Sequence, residues 1–256
     1  MKPNGYVVWE GPSEVDGNLI VLIITGTGLR SSQNPKTGWM IQSWILRSDI
    51  HPMEAIRTNG DQAICGDCPL RGVQADNETF GHFRACYVNL ATPGQVYSSY
   101  KKGKYPLLQD TFLIRRRAFR LGAYGDPAAV PHKVWLPILR AIDPTLKDFP
   151  NSIRKPTQGV ARTGYTHLWE ENPQFQAFCM ASVDSAASRE QAKKKGWRTY
   201  RIKGKNDLVL SGEIVCPASL QNEQRTTCIQ CGLCGGTSVA GPDIVIDVHG
   251  SRSKYF

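Results

Sequence analysis

The sequence predicts an α/β fold, either a partial (β/α) barrel or a mostly parallel sheet. An N-terminal β-hairpin extension and two cysteine-rich metal-binding loops complete the prediction. From residue 85 onward, strand-like and helix-like patterns alternate, which is typical of parallel sheets. Residues 1–84 lack this alternation, and the eight cysteines of the 256-residue chain fall mostly into two groups. We therefore expect a β-rich extension over 1–84, with the first cysteine pair, and a barrel-like domain over 85–256.

The individual elements follow from the hydrophobic pattern. Two β-rich runs, 6–9 and 18–25, are separated by Gly11-Pro12 and Asp16-Gly17, which favours a hairpin. Further strands are predicted over 85–90, 118–123, 164–167, 178–183, 197–202, 213–216 and 243–248. Helices are predicted over 94–102, 134–142 and 188–195, with one apolar face on the second and Gly196 ending the third.

Composition and charge narrow the function classes. The formal net charge of +9 favours a polyanionic partner, most simply nucleic acid. No apolar run is long enough for a secretory signal or a membrane span, so we expect a cytoplasmic protein without membrane contact. In that compartment cysteines bind metals more often than they form disulfides. Neither a GxGxxG nor a GxxxxGK[ST] motif occurs, which argues against dinucleotide and P-loop sites.

The C-terminal cysteines form the most specific motif of the chain. Cys228, Cys231 and Cys234 are spaced C-x2-C-x2-C in a glycine-rich loop, and Cys216 lies upstream, before Pro217. Three thiolates at this spacing can surround one cluster, and a remote Cys-Pro as fourth ligand is typical of bacterial ferredoxins. Four thiolates also suit a tetrahedral zinc site. The spacing predicts a [4Fe–4S] cluster or zinc without choosing between them.

A second cysteine group lies nearer the start of the chain. Cys65, Cys68 and Cys86 could hold a [4Fe–4S] cluster with one iron open to a substrate. His82 lies between them and gives the spacing C-x2-C-x13-H-x3-C, which suits a closed structural zinc site. Both interpretations stay open here. Cys179, in an apolar run, is expected to be an unreactive core residue.

Polar residues follow several predicted strands, where parallel α/β folds bind ligands. Asp126, His167 and Asp184 are candidate catalytic residues, because carboxylates and imidazoles act as general bases and acids. Tyr165 and Ser182 are candidate cofactor-binding residues. In the alternative interpretation, each aspartate caps the helix that follows it and His167 is structural.

Clustered basic residues are candidate nucleic-acid contacts. Their charge could neutralise phosphates, and neighbouring aromatic rings could stack on bases. The alternative is a solvated surface without a partner. The candidates are Arg115, Arg116, Arg117, Lys193, Lys194, Lys195 and Arg198.

The ordered motifs CGDCP, ACYVNL, RLGAYGDP, TGYTH, MASVDS, GWRTYR, EIVCPAS and CIQCGLCGG resemble a family of uncharacterised bacteriophage proteins. The resemblance covers roughly residues 60–250. It implies a radical-SAM-like or other (β/α)-barrel iron–sulfur protein of the host cytoplasm, with both cysteine groups binding metal and Asp126 at the cavity. The chain lacks the C-x3-C-x2-C triplet of radical-SAM enzymes, which argues against S-adenosylmethionine as a cofactor.

Two functional hypotheses follow from these patterns. The first is an iron–sulfur enzyme that modifies nucleic acid or a nucleotide, with DNA modification as one form. The second is a zinc-stabilised nucleic-acid-binding protein, associated with replication and without a reaction of its own. The sequence does not distinguish DNA from RNA, nor does it give the oligomeric state.

Overall fold

The computed structural model describes residues 3–28, 34–75, 79–143, 155–156 and 159–256. The described strands are β1 (Gly5–Pro12), β2 (Leu19–Thr25), β3 (Ile41–Arg47), β4 (Val73–Ala75), β5 (Thr79–His82), β6 (Phe119–Tyr124), β7 (Arg162–Thr163), β8 (Tyr165–Thr166), β9 (Met180–Val183), β10 (Thr199–Lys203), β11 (Glu213–Val215) and β12 (Asp243–Asp247). The described α-helices are α1 (Pro52–Arg57), α2 (Gln62–Cys65), α3 (Ala91–Lys101), α4 (His132–Ile142), α5 (Ala186–Lys194) and α6 (Cys228–Cys231).

Ten of the described strands form two five-stranded sheets, and β4 and β5 form a separate two-stranded sheet, which confirms a mixed α/β protein with parallel strands. The first has the order β1-β2-β3-β6-β7, in which β1, β2 and β3 are antiparallel while β3, β6 and β7 are parallel. The second, β11-β12-β10-β9-β8, is parallel throughout. No pairing among the described strands closes either sheet into a barrel. Strands β3 and β6 pair across the boundary proposed at residues 84 and 85, and that division stays a prediction.

A single glycine joins the two sheets. Gly164 lies between β7 and β8, its N–H donates to the Cys234 carbonyl (3.2 Å), and its own carbonyl accepts from the Met180 N–H (2.9 Å). A Cβ at this position would lie 2.7 Å from the Cys179 Sγ and 3.0 Å from the Phe178 carbonyl oxygen. No other residue fits there without displacing its neighbours.

Two apolar cores cover the sheets. The larger contains β2, β3 and the face of α4 formed by Trp135, Ile138, Leu139 and Ile142, as the helical period predicts. The second contains Tyr200 and Ile202 of β10, alternate residues of β12, and Cys216, Cys228 and Cys234. Cys179 is fully buried, as expected.

Several sequence-based elements differ from the structure. Residues 85–90 are not a strand; they form an irregular segment that leads into α3. The predicted strand over 164–167 is interrupted, because Gly164 bonds to a loop instead of continuing one ladder. Five short elements between residues 41 and 82 were not predicted, namely β3, β4, β5, α1 and α2. Each is only three to seven residues long, and glycine or proline separates some of them. No helix in the described part of the chain is long and apolar enough to cross a membrane.

Candidate functional site

A cavity of about 110 Å³ lies at the carboxyl ends of β6, β8 and β9. Strand β6 belongs to the first sheet and β8 and β9 to the second, so the cavity brings together side chains from both sheets that are distant in sequence. Its lining includes many of the sequence-predicted residues, namely Cys65, Cys68, Cys86, Asp126, Tyr165, His167 and Ser182. Asp184 is not among the lining residues. The structure therefore brings the first cysteine group and most of the predicted polar residues to one place.

Asp126 follows β6 and is buried, with 6% of its surface exposed. Its Oδ1 accepts from the Ala128 N–H (2.9 Å), and its Oδ2 accepts from the His167 N–H (2.7 Å). The first bond caps a short 3₁₀ turn, so the capping interpretation is correct for this residue. Burial raises the pKa of the Asp126 carboxyl to about 6, against the lowering effect of its backbone hydrogen bonds. Asp126 thereby ties the end of β6 to the end of β8.

His167 is the central polar side chain of the cavity. Its Nε2 lies 3.1 Å from the Ser182 Oγ and 3.7 Å from the Cys68 Sγ. Burial lowers the pKa of the imidazole to about 4, and nearby Asp184 acts in the opposite direction. The ring is therefore neutral near pH 7, with one nitrogen able to donate and the other able to accept a proton or bind a metal.

Asp184 is half-buried and follows β9. The Ser188 hydroxyl donates to its Oδ1 (3.4 Å), while Ser185 is the residue that caps α5 through a capping box with Ser188. The capping interpretation is thus wrong for Asp184. Its carboxylate acts on the cavity through its charge, which favours the protonated form of His167.

The thiols of the first group are shielded from water. Burial raises the pKa of Cys65, and the neighbouring Asp61, Cys68 and Cys86 raise it further. Burial likewise raises the pKa of Cys68 to about 12, with Cys86 and Asp126 adding to the shift. Without a bound cation, Cys65 and Cys68 are therefore protonated at neutral pH. A metal would have to displace those protons, as thiolate coordination requires.

His82, which the spacing of the sequence selects as a fourth ligand, is not among the residues that line this cavity, and its role as a ligand stays a prediction. It is exposed on the β4–β5 hairpin and lines a different cavity, together with Phe80 and Tyr255. The imidazole beside the thiols is that of His167, whose position 99 residues after Cys68 gives no spacing signal. Tertiary structure, and not local sequence, brings this histidine to the cysteines.

The second cysteine group is also gathered in one region. Cys228 and Cys231 begin and end α6, and Cys216 directly follows β11. Burial raises the pKa of Cys228 to about 11; Cys216 and Cys231 raise it as well, while Lys36 and Arg120 lower it. Burial also raises the pKa of Cys234, and the other three thiols of the group reinforce the shift. The four thiols thus interact electrostatically with one another.

The metal assignment itself stays a prediction. Across the residues described by the structure, no group of three or more His, Cys, Asp or Glu side chains is arranged to hold a metal ion. Both cysteine groups are nevertheless close enough for their charges to interact. Thiolates with an adjacent imidazole are the donors that zinc and iron–sulfur clusters prefer.

The predicted nucleic-acid residues have different surroundings. Arg115, Arg116 and Lys194 are exposed, whereas Lys193 pairs with Asp243 (3.2 Å). Arg117 donates to the Gly26 carbonyl (2.8 Å). Lys195 lies 3.6 Å from Glu170 and over the ring of Trp169. The basic segments are therefore only partly available to a polyanion.

Arg198 corrects the prediction for its segment. It is buried, with 8% of its surface exposed, and so is not a surface contact for nucleic acid. Its guanidinium donates to the carbonyls of Leu233 (2.7 Å) and Val239 (2.9 Å), and also to those of Gly236 and Pro242. The side chain thus braces the loop that carries the C-terminal cysteines.

The sequence reasoning missed Lys36, whereas it grouped Arg120 with Arg115, Arg116 and Arg117 as a basic cluster at the start of a strand. Arg120 lies within β6, and its Nη2 donates to the Tyr87 hydroxyl (3.1 Å). The alternation of β6 indicates its direction, because Leu121 and Ala123 face the larger core and Arg120 therefore faces the other side.

No protein-family model, curated protein or solved structure matches this chain.

Proposed function

We propose that this chain is a metal–thiolate protein, with an iron–sulfur cluster as the favoured centre, that modifies a nucleotide or nucleic acid. In this proposal the two open sheets form a partial (β/α) barrel with the reaction cavity at the carboxyl ends of its strands. The observation that carries the proposal is the shared cavity, in which Cys65, Cys68 and Cys86 lie beside His167 and Ser182. The resemblance to bacteriophage cysteine-motif proteins gives further support.

The residues of the first cavity are suited to general acid–base catalysis beside a metal centre. The neutral His167 imidazole lies within hydrogen-bond distance of Ser182, so it can hold a proton from, or return one to, a bound hydroxyl group. The partly apolar lining excludes bulk water and strengthens such contacts. A bound cluster would supply electron transfer or an open iron for a substrate atom.

Anaerobic purification tests the metal centre directly. We expect a brown protein with iron and acid-labile sulfide in equal amounts and an electron paramagnetic resonance signal after reduction. A colourless protein that carries two equivalents of zinc per chain would contradict the iron–sulfur assignment. Cys65→Ala and Cys228→Ala should each lower the metal content, whereas Cys179→Ala, at a buried cysteine outside both groups, should leave it unchanged.

A second function, a zinc-stabilised nucleic-acid-binding protein, is favoured by the geometry of Asp126. Both of its carboxylate oxygens accept backbone hydrogen bonds, which is a structural use of that side chain. The variant His167→Gln separates the two functions, because it removes the titrating group and keeps a polar side chain. Retained fold and nucleic-acid binding with loss of product formation would support the enzyme. Unchanged biological activity of this variant would support the binding protein.

A further inference from the structure

A second cavity, of about 210 Å³, adjoins the first. The two share the side chains of Tyr87, Tyr165 and Tyr200, and the second extends toward the C-terminal cysteines. Its lining contains two cations, Lys36 and Arg120, and no carboxylate from the part of the chain that the structure describes. The charge of this cavity is therefore positive.

Among the described residues these two cations have no acidic partner, whereas several other basic residues of the interior do. Arg162 pairs with Asp143 (3.1 Å) and Arg201 with Glu213 (2.7 Å), as buried charges usually do. Within the described ranges, neither Lys36 nor Arg120 forms an ion pair. Both line the same cavity, so one ligand there could contact both charges. An anion bound between them would supply the missing charge.

A buried hydroxyl points to the same kind of ligand. Thr163 lines the second cavity, is 98% buried, and its Oγ1 has no hydrogen-bond partner in the structure. A buried hydroxyl without a partner costs free energy, which an acceptor oxygen placed in the cavity would recover. Arg120, Lys36 and Thr163 thus provide two charged donors and one neutral donor, a set that suits the oxygens of a phosphate group.

Aromatic rings lie on the solvent side of this donor set. Tyr87 and His249 are stacked with their ring centroids 4.9 Å apart, and Tyr87 is 42% exposed. Planar rings at such an edge offer stacking partners for a nucleobase. The volume of about 210 Å³ is below the ~300–1,000 Å³ of sites for drug-sized ligands, so the cavity can enclose the phosphate end of one nucleotide while the base lies at the exposed rings.

We infer that the second cavity binds a single nucleotide, with its phosphate between Lys36, Arg120 and Thr163 and its base near Tyr87 and His249. The inference rests on the proposed function for the role of this ligand as substrate, and it narrows the substrate class from nucleic acid to mononucleotides. The binding itself can be tested without any assumption about the metal or the reaction.

Isothermal titration calorimetry on the purified protein provides the test. The probes are the four common nucleoside 5′-monophosphates, their nucleosides, inorganic phosphate and a single-stranded DNA oligonucleotide. We expect at least one monophosphate to bind about tenfold or more tightly than its nucleoside, because the charged donors contact only the phosphate. We also expect it to bind more tightly than inorganic phosphate, which lacks the stacked base.

Matched variants locate the site. Arg120→Met and Lys36→Met should each weaken the monophosphate about tenfold, and Thr163→Val about threefold or more. Thr199→Val is the control for Thr163→Val, because Thr199 is also a buried threonine with an unpartnered hydroxyl but does not line the cavity. Lys133→Met, on an exposed lysine of α4 that does not line the cavity, is the control for charge. Both controls should change the affinity less than twofold.

Four results would overturn the inference. The first is that no monophosphate binds, and the second is that only the oligonucleotide binds. The third is that Lys36→Met and Thr163→Val leave the affinity unchanged, which remains informative should Arg120→Met fail to fold. The fourth is loss of metal in Arg120→Met with unchanged nucleotide affinity, which would make the cation a counterion of the C-terminal thiolates. Metal content, measured on the same samples, reports separately on the proposed function.

Discussion

Replacing Arg198 by methionine should destabilise the protein strongly and loosen the C-terminal cysteine loop. The guanidinium donates to four backbone carbonyls between residues 233 and 242, three of them at 2.7, 2.9 and 3.2 Å. Methionine keeps much of the apolar stem of arginine and removes every one of these donors. The variant therefore isolates the hydrogen bonds of a buried cation.

The size of the effect follows from these bonds. A hydrogen bond from a charged donor contributes about 1.5–3 kcal/mol, and carbonyls left buried without a partner cost a similar amount each. The contributions are not additive, since water reaches part of the loop and the loss of a buried charge recovers some desolvation free energy. We expect the free energy of unfolding to fall by about 3–5 kcal/mol.

Urea unfolding followed by circular dichroism measures this change. Arg115→Met, at an exposed arginine, is the control and should change the free energy of unfolding by less than about 0.5 kcal/mol. The loss for Arg198→Lys should lie between those for Arg198→Met and Arg115→Met, because lysine keeps the charge but has fewer N–H donors in a different geometry. A loss below about 1 kcal/mol for Arg198→Met would refute the bracing role.

Three further predictions concern Gly164 at the connection between the sheets, Asp126 at the first cavity, and the bound metal. Gly164→Ala should lower the free energy of unfolding by about 1–3 kcal/mol, because its Cβ meets Cys179 and the Phe178 carbonyl. Gly204→Ala, whose Cβ would meet only the Asp207 side chain, at 3.2 Å, should cost less than about 1 kcal/mol in the same urea experiment. Folding raises the pKa of Asp126 to about 6, so its protonated carboxyl stabilises the fold at low pH and this contribution is lost as the pH rises through 6. Relative to Asp126→Asn, the free energy of unfolding of the metal-free wild type should fall by about 3 kcal/mol between pH 4 and pH 7. Parallel pH profiles of the two proteins would contradict this. Removing bound metal with a chelator should lower the thermal midpoint by about 5 °C or more, measured by differential scanning calorimetry, and an unchanged midpoint would show that the thiols fold without metal.

Much of the fold could be predicted because it depends on local periodicity. The amphipathic pattern of α4 and the glycine after α5 are signals carried by neighbouring residues, and both are confirmed. The strand predicted over 85–90 is wrong, because this segment pairs with no described strand. Its Cys86 lines the first cavity instead. Strand β3 was not predicted, although it pairs with β2, the preceding strand, as well as with the distant β6.

The candidate site was predictable only where strand ends defined it. His167 and Ser182 converge because β8 and β9 are parallel neighbours in one sheet, a rule that needs no knowledge of the tertiary contacts. Asp126 follows β6 of the other sheet, and its place beside them depends on how the two sheets pack. The role of Arg198 could not be predicted, because a run of basic residues does not show which member turns inward. The unpaired cations Lys36 and Arg120 are equally invisible, since the absence of a nearby carboxylate is a property of the folded chain.

The glycine joint between the sheets has a mechanical consequence. Gly164 holds the cysteine loop through its N–H and strand β9 through its carbonyl, and His167 lies only three residues further along. If the loop shifts, either the bond to Cys234 breaks or the short connection moves with it and carries the imidazole along. The cysteine loop and His167 are therefore connected through only a few residues of backbone, and the imidazole contacts Ser182.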